Sequence, residues 1–392
     1  MTDTLMRAGL RRMRPRDREE DNRAASPLEL LFDLVFVVAV SQASQNLSHL
    51  LSAGNVGHAV VSYLMVFFAI WWAWVNFTWF ASAFDTDDWA YRAMTILQMA
   101  GVLVLAAGIH DALVNDDYEV VTWGYVIMRL AMVAQWLRAG LSDPGSRRTA
   151  FAFASGIAIV QVLWVARIYL LDARWQFITF FVLMVCEVLV PIVAERQGST
   201  HWHPHHIAER YGLFTLILLG ESILASATAV FEAINKGEHL RELYTLSLAG
   251  LVIAAGMWWV YFSRDQGERL AAGNRGFVFG YIHYIIFAAA GAVSAGIEVA
   301  IQHTLGSTSL SQPAAALTLS VPVGVFVLAV WAMLLRGLIT RGSSAAVATL
   351  GVLIIASAAL PLAPVAAVAL LLVVVVVVLE VDEARTQRRD AF

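Results

Sequence analysis

Charge and cysteine are what this sequence has least of. Of its 392 residues only 14% are Asp, Glu, Lys or Arg, where a soluble domain carries about a quarter, so the usual water-facing surface cannot be built. Cys186 stands alone, which excludes a disulfide framework and a cysteine-based metal site. Walker-type G-x-x-x-x-G-K-[ST], H-E-x-x-H and G-x-S-x-G patterns are absent, leaving no support for an ATP-driven pump or a familiar intramembrane hydrolase. Long segments alternating apolar and polar residues are missing too, and with them the case for a barrel. A nucleic-acid partner is not expected: the arginines near the N-terminus have no aromatic or folded context.

What remains is apolar. Hydrophobic residues make up 59% of the chain, gathered in stretches of roughly 18–25 residues, each able to cross a ~30 Å hydrocarbon core as a helix. About twelve spans are expected, at 28–50, 58–82, 90–110, 119–138, 150–171, 174–195, 207–231, 243–263, 276–299, 314–336, 344–361 and 363–381. The last two admit one bent element as the alternative, although Pro361 and Pro364 favour a turn. Arg174, Lys236 and Arg241 fall on one side of these spans and Arg129 and Arg167 within them, leaving 21 of the 26 basic residues on the other side. The positive-inside rule makes that side, and both termini, cytoplasmic, and the membrane the cytoplasmic (inner) one. A signal-peptide reading of the N-terminus fails because Glu29 and Asp33 would sit in its apolar core.

The order of motifs repeats. "LELLFDLVFVVAVSQASQNL" and "WWAWVNFTWFASAFDTDD" in the first half are matched by "AERYGLFTLILLGESILASA" and "MWWVYFSRDQGE" in the second, and "LAAGIHDAL" (105–113) by "VSAGIEVAI" (293–301). Twelve residues separate Glu29 from Ser41, and Glu209 from Glu221. The expected fold class is therefore an all-α polytopic membrane protein, about 12 transmembrane helices as two parallel six-helix repeats. Its parts would be an Arg-rich arm (1–27), a first repeat (28–195), a His-rich linker (196–206), a second repeat (207–381) and a tail (382–392). An even number of spans per repeat places the symmetry axis along the membrane normal.

Three segments, "PLELLFDLVFVVAVSQ" at 27–42, "WWAWVNFTWFASAFDTDD" at 71–88 and "HIAERYGLFTLILLGESILA" at 206–225, resemble the bacterial low temperature requirement A (LtrA) family, well over the first nine spans and weakly over the last three. The resemblance implies a polytopic inner-membrane protein supporting growth in the cold. It supplies no catalytic residues, so candidate positions rest on membrane chemistry.

An ionisable side chain at mid-bilayer costs about 2.5–3.5 kcal/mol or more, and so demands a partner, water or a function. Glu221 lies roughly 20 Å along its span at ~1.5 Å per residue, too deep to snorkel; Arg129 and Glu187 are near the middle of theirs. An Arg129–Glu221 ion pair joining the halves is the structural explanation, and a titratable or cation-binding carboxylate its rival. Glu29 and Asp33, four apart on one helix face, read either as dipole compensation behind Ser26-Pro27 or as a proton-sharing acid pair, unless Arg210 or Arg92 bridges to Asp33. Glu209 and Arg210 fit an anchoring charge cluster. If Arg129 and Arg167 are both paired, about two of Asp33, Glu187, Glu221 and Glu298 remain for protons, cations or water to neutralise.

Gln42, Asn76, Gln98 and His283, with Gln45, Asn46 and Gln135, would line a wet path or simply bond between helices. The paired tryptophans read as interface anchors. In "HWHPHH" (201–206), His203, His206 and Glu209 recur at three-residue spacing, a weak metal pattern that Pro204 interrupts; no cofactor is expected. Two functions follow: a secondary transporter or permease coupled to protons or cations, with Glu221, Asp33, Arg129 and Glu187 as its candidates, or a scaffold that binds lipid or a partner without transport. A lipid-modifying enzyme would need metal on the His-rich linker. Membrane lipids, a small solute or ion, and a second copy of the chain are the partners these readings admit.

Overall fold

Proline sets where several helices begin. With its fixed φ and no N–H to leave unpaired it suits the first helical position, and Pro27, Pro204 and Pro364 each open a long helix. Side-chain caps start others: Asp88 accepts from the Tyr91 N–H, Asp172 from Trp175 and Thr340 from Ser343, each satisfying one of the donors a helix leaves open.

A computed structural model of the chain describes residues 10–16, 24–84, 86–236, 239–271, 276–361 and 363–390. Residues 1–9 and 17–23 of the expected arm and 391–392 of the tail lie outside them. The helices are α1 (Pro27–Ser52), α2 (Val56–Phe84), α3 (Trp89–Ala107), α4 (Ile109–Val114), α5 (Glu119–Ser142), α6 (Arg147–Leu170) and α7 (Ala173–Glu195), then α8 (Pro204–Lys236), α9 (Leu240–Phe262), α10 (Gly267–Ala271), α11 (Gly276–Thr304), α12 (Gln312–Val330), α13 (Arg341–Ala356) and α14 (Pro364–Asp390). There is no strand among the described residues, and twelve helices are long and apolar enough to cross a membrane. Each expected span has its helix.

Two details depart from the expected spans, and the turn that Pro361 and Pro364 favoured between the last two is present. The third span stops at Ala107, turns at Gly108 and resumes as the short α4. Helix α12 ends in a wide π turn, Trp331–Leu335. The last two spans are separate helices that part at Leu360–Ala363, where Pro361 interrupts the chain. The bent single element is thereby excluded.

The chain divides into two compact units, residues 1–39 with 69–210, and residues 40–68 with 211–392. In the first, α3 packs on α5, α5 on α6 and α6 on α7. Glycine permits the closest of these approaches: a Cβ on Gly124 would stand 2.3 Å from the Leu105 nitrogen. Small residues at such crossings let backbones meet, which is how helices associate where water supplies no hydrophobic drive. The arm's described residues join this unit, Arg11 N–H donating to Asp88 and Arg16 N–H to the Ala83 carbonyl. In the second unit α11 packs on α12, α12 on α13, and α9 on α14, and a Cβ on Gly296 would meet the Leu319 Cα at 2.6 Å. Large apolar side chains left exposed, among them Leu370 and Val377 of α14 and Val182 and Val185 of α7, suit a lipid surrounding.

Candidate functional site

Helix α1 starts on a capping box, a serine and a glutamate three residues apart that cap each other's backbone N–H. The Ser26 N–H donates to Glu29 Oε2 at 2.8 Å and the Glu29 N–H to Ser26 Oγ at 3.3 Å. The other Glu29 oxygen lies 3.0 Å from His206 Nε2. One turn on, Asp33 Oδ1 accepts from Arg210 Nη2 at 2.6 Å and from the Trp74 indole at 2.7 Å. Glu29, Asp33, His206 and Arg210 are all buried, and the two acids do not share a proton site: each has its own nitrogen partner. Arg92 is not involved, for it pairs with Asp87 at the surface. Glu209 is exposed and accepts from the Ala25 N–H at 3.2 Å.

Arg129 corrects the sequence reading. Its guanidinium pairs with Glu187 at 2.8 Å, both side chains fully buried, and not with Glu221. Glu187 on α7 also accepts from the Trp72 indole of α2 (3.0 Å), from Gln161 (2.8 Å) and from the Trp164 indole (3.3 Å), both of α6. With Arg129 on α5, one carboxylate ties four helices of the first unit. Arg167 takes no carboxylate among the described residues; its Nε donates to the Gln176 carbonyl at 2.7 Å and its guanidinium packs on Tyr118, Trp164 and Phe180. A delocalised, weakly hydrated cation tolerates aromatic neighbours in this way.

Two acids are left without a fixed cation, and both belong to the second unit. Glu221 of α8 is buried and accepts from Ser41 Oγ of α1 at 2.8 Å. Ser41 Oγ in turn accepts from Gln45 Nε2 at 3.1 Å. Glu298 of α11, half-buried, accepts from Ser48 Oγ at 2.8 Å and lies within electrostatic range of Glu221 and His49. No arginine or lysine forms an ion pair with either acid among the described residues. A buried carboxylate with a hydroxyl for its partner and no fixed cation can hold a proton, or bind a hard cation together with other oxygens.

The remaining candidates have local duties. The Asn46 amide donates to the Gln42 carbonyl and Asn76 to the Trp72 carbonyl, each one helical turn away. Gln98 is buried in α3 with its Nε2 lacking a hydrogen-bond partner among the described residues. His283 is fixed on both sides, Nε2 against the Tyr261 hydroxyl at 3.0 Å and Nδ1 against the Phe279 carbonyl at 2.7 Å. His203 receives the His206 N–H on its ring while its own N–H donates to Ser82 Oγ. It caps α8, and its neighbour His206 faces Glu29. Among the described residues no three metal-binding side chains of the His, Cys, Asp or Glu type come together. Glu209 is exposed whereas His206 is buried.

Reasoning from the sequence missed the tryptophans. Trp72 and Trp74 are fully buried donors to Glu187 and Asp33, whereas Trp258 and Trp259 stay exposed as interface anchors should. A tryptophan four residues from another polar group on a helix that also carries Asn76 and Thr78 was the available signal. It was obscured by the general enrichment of Trp at membrane interfaces.

An all-helical chain with twelve helices long and apolar enough to cross a membrane, among the described residues, is a polytopic membrane protein. Residues 24–380 match the family described as "Bacterial low temperature requirement A protein (LtrA)", and the chain belongs to that family. It is also similar to "Uncharacterized protein RA0937" of Rhizobium meliloti (strain 1021), 29% identical over 267 residues, which is 66% of this chain and 62% of that protein. The chain thus spans somewhat under two thirds of that relative's length.

Proposed function

We propose that the protein is a secondary transporter or permease of the cytoplasmic membrane, coupled to protons or cations, with Glu221 as the coupling carboxylate. One contrast carries the reading. Asp33 and Glu187 each hold an arginine and Glu29 a histidine, while among the described residues Glu221 holds the Ser41 hydroxyl alone and has the carboxylate of Glu298 for a neighbour. A carboxylate in an apolar span without a built-in cation is neutralised by what it binds. Ser41 suits both states, donating to the ionised carboxylate and accepting from the protonated one. Asp33, Arg129 and Glu187, each held by a fixed ionic partner, then serve as the frame.

The same reading takes the two matching series of motifs as a parallel duplication, since transporters of that type place their sites where the repeats meet. In the first unit the starts of α1 and α8 meet as Glu29–His206 and Asp33–Arg210, and in the second unit their later turns meet as Ser41–Glu221. All three pairs are separated by about 180 residues, the offset that aligns Glu29 with Glu209. Trp72 bonding Glu187, spans two and six, is likewise matched by Trp259 donating to Glu380 at 2.8 Å, spans eight and twelve. The excess of arginine on one face supports cytoplasmic termini.

In proteoliposomes under a pH or cation gradient, screened with a panel of small solutes, the wild-type protein should accumulate a solute and Glu221→Gln should not, while exchange without a gradient continues. Gradient-driven uptake that survives Glu221→Gln would remove this residue from the mechanism. A second reading, a scaffold binding lipid or a partner helix without transport, draws on the Glu187 network, which fixes α2, α5, α6 and α7 in one register as a scaffold requires. Absence of any gradient-driven flux in the wild type favours it.

A further inference from the structure

The first unit buries more hydrogen-bonding groups at mid-helix than its own side chains satisfy, and Arg129 is the foremost of them. Its Nη2 donates to Glu187 Oε2 at 2.8 Å, while Nε and Nη1 are buried with no hydrogen-bond partner among the described residues. The Tyr125 ring, 5.7 Å from the guanidinium carbon, covers a face of the group and leaves those N–H edges unmet. Gln161 of α6 is the counterpart. A carboxylate only accepts, so the 2.8 Å contact with Glu187 Oε1 comes from the Gln161 amide nitrogen, which fixes the amide and leaves its Oε1 buried without a donor. Arg129 and Gln161 thus end on the two oxygens of one carboxylate, the first with donors to spare and the second with an acceptor. Residues 86–210 around them are described without a break.

The same imbalance recurs between α3 and α5. Gln98 and Gln135 are both buried, and among the described residues the Gln98 Nε2 and both ends of the Gln135 amide have no hydrogen-bond partner, so the two glutamines do not bond to each other. These helices run antiparallel, since a Cβ on Gly101 would stand 2.7 Å from Met128 Cγ and one on Gly124 2.3 Å from the Leu105 nitrogen. Gln98 lies one turn before Gly101, and Met132 and Gln135 one and two turns after Met128, so both glutamines continue the contact face in one direction. Buried donors and acceptors left unmet by protein are commonly completed by internal water. A single water accepts from Arg129 and donates to Gln161, and is small enough to sit between packed helices.

We propose that the core of the first unit binds internal water, one site joining Arg129 to Gln161 beside Glu187 and another held by Gln98 and Gln135. Water there completes the Glu187 network and hydrates mid-helix positions that an apolar core would keep dry. X-ray hydroxyl-radical footprinting of the full-length protein in nanodiscs reads this directly, because radicals formed from bound water oxidise the side chains beside it even where bulk solvent is excluded. Tyr125 adjoins the first site and Met132 the second, and each has a buried reference of its own type in the second unit, Tyr261 and Met257. In wild-type protein Tyr125 should oxidise several times faster than Tyr261, and Met132 several times faster than Met257. Gln161→Leu should abolish the excess at Tyr125 and keep that at Met132. Gln135→Leu should do the converse and melt no higher than the wild type, because it sheds a hydrated amide and not a dry one. The wild-type comparison holds whether or not either variant folds. Oxidation no faster than in the references, an excess unchanged in both variants, or a Gln135→Leu protein that melts several degrees higher overturns the proposal.

Discussion

Glu187 and Glu221 are the same side chain placed deep in two apolar helices, and their neighbours give them opposite roles. Glu187 takes hydrogen bonds from Arg129, Trp72, Gln161 and Trp164; removing one charge of such a buried pair leaves the other uncompensated, at about 3–5 kcal/mol. Arg129→Gln should therefore lower the melting temperature of the purified protein sharply, and Arg129→Met combined with Glu187→Met should recover much of the loss. Trp74→Phe, which takes an indole donor from Asp33, should cost about 1.5–3 kcal/mol in the same melt. Glu221→Gln should leave the melt nearly unchanged, because an amide still accepts from Ser41. Which acids sit in spans was readable from the sequence, but the count of two without a cation rested on Arg167 holding one, and it is Arg210 that does so. Who pairs with whom was less so: Arg129 was matched with Glu221 and pairs with Glu187, while of the two bridges offered for Asp33 it is Arg210, and not Arg92, that forms one.

Helices are where the sequence was most informative, since a span of about twenty apolar residues has few alternatives in lipid. Their ends and crossings depend on finer features. Gly108, aligned with Gly296, stops α3 early, and a Cβ there would lie 2.7 Å from the Val121 nitrogen; only the packed structure shows that its partner is α5. Gly124→Val forces α3 and α5 apart and should destabilise the protein by about 1–3 kcal/mol or more, read as loss of thermal stability in detergent. Gly220→Ala, in α8 with nothing within 4 Å of the added carbon, should be neutral or gain up to about 1 kcal/mol. At the start of α3, burial pushes the Asp88 carboxyl up, but hydrogen bonds from Arg138 and from the Tyr91 and Arg11 N–H groups outweigh it and hold it below the usual range. A depressed carboxyl stabilises the fold above its ordinary pKa and loses that contribution as pH falls through the lower folded value. Protection of the Arg11 and Tyr91 amides from hydrogen exchange should fall with acid in wild-type protein and be low at all pH values in Asp88→Asn.

At the scale of the whole molecule, the sequence suggested halves meeting near residues 196–206, whereas compact units divide at 39/40, 68/69 and 210/211. Long helices that leave one unit and enter the other cannot be seen from periodicity alone, because every turn of α1, α2 and α8 is apolar enough for either. The chain's membership of the LtrA family and its similarity to a Rhizobium meliloti protein fix its kin. Its duty turns on the acids left uncompensated. Proteoliposomes on a solid-supported membrane, given jumps in proton, sodium, potassium or magnesium concentration, report charge moved by ion binding without any known solute. Wild-type protein should give a transient charge displacement for at least one of these ions, undiminished in the Arg129→Met/Glu187→Met pair and absent in Glu221→Gln. Identical displacements in wild type and Glu221→Gln, or none in either, would contradict the assignment of Glu221 as the ion-coupling carboxylate.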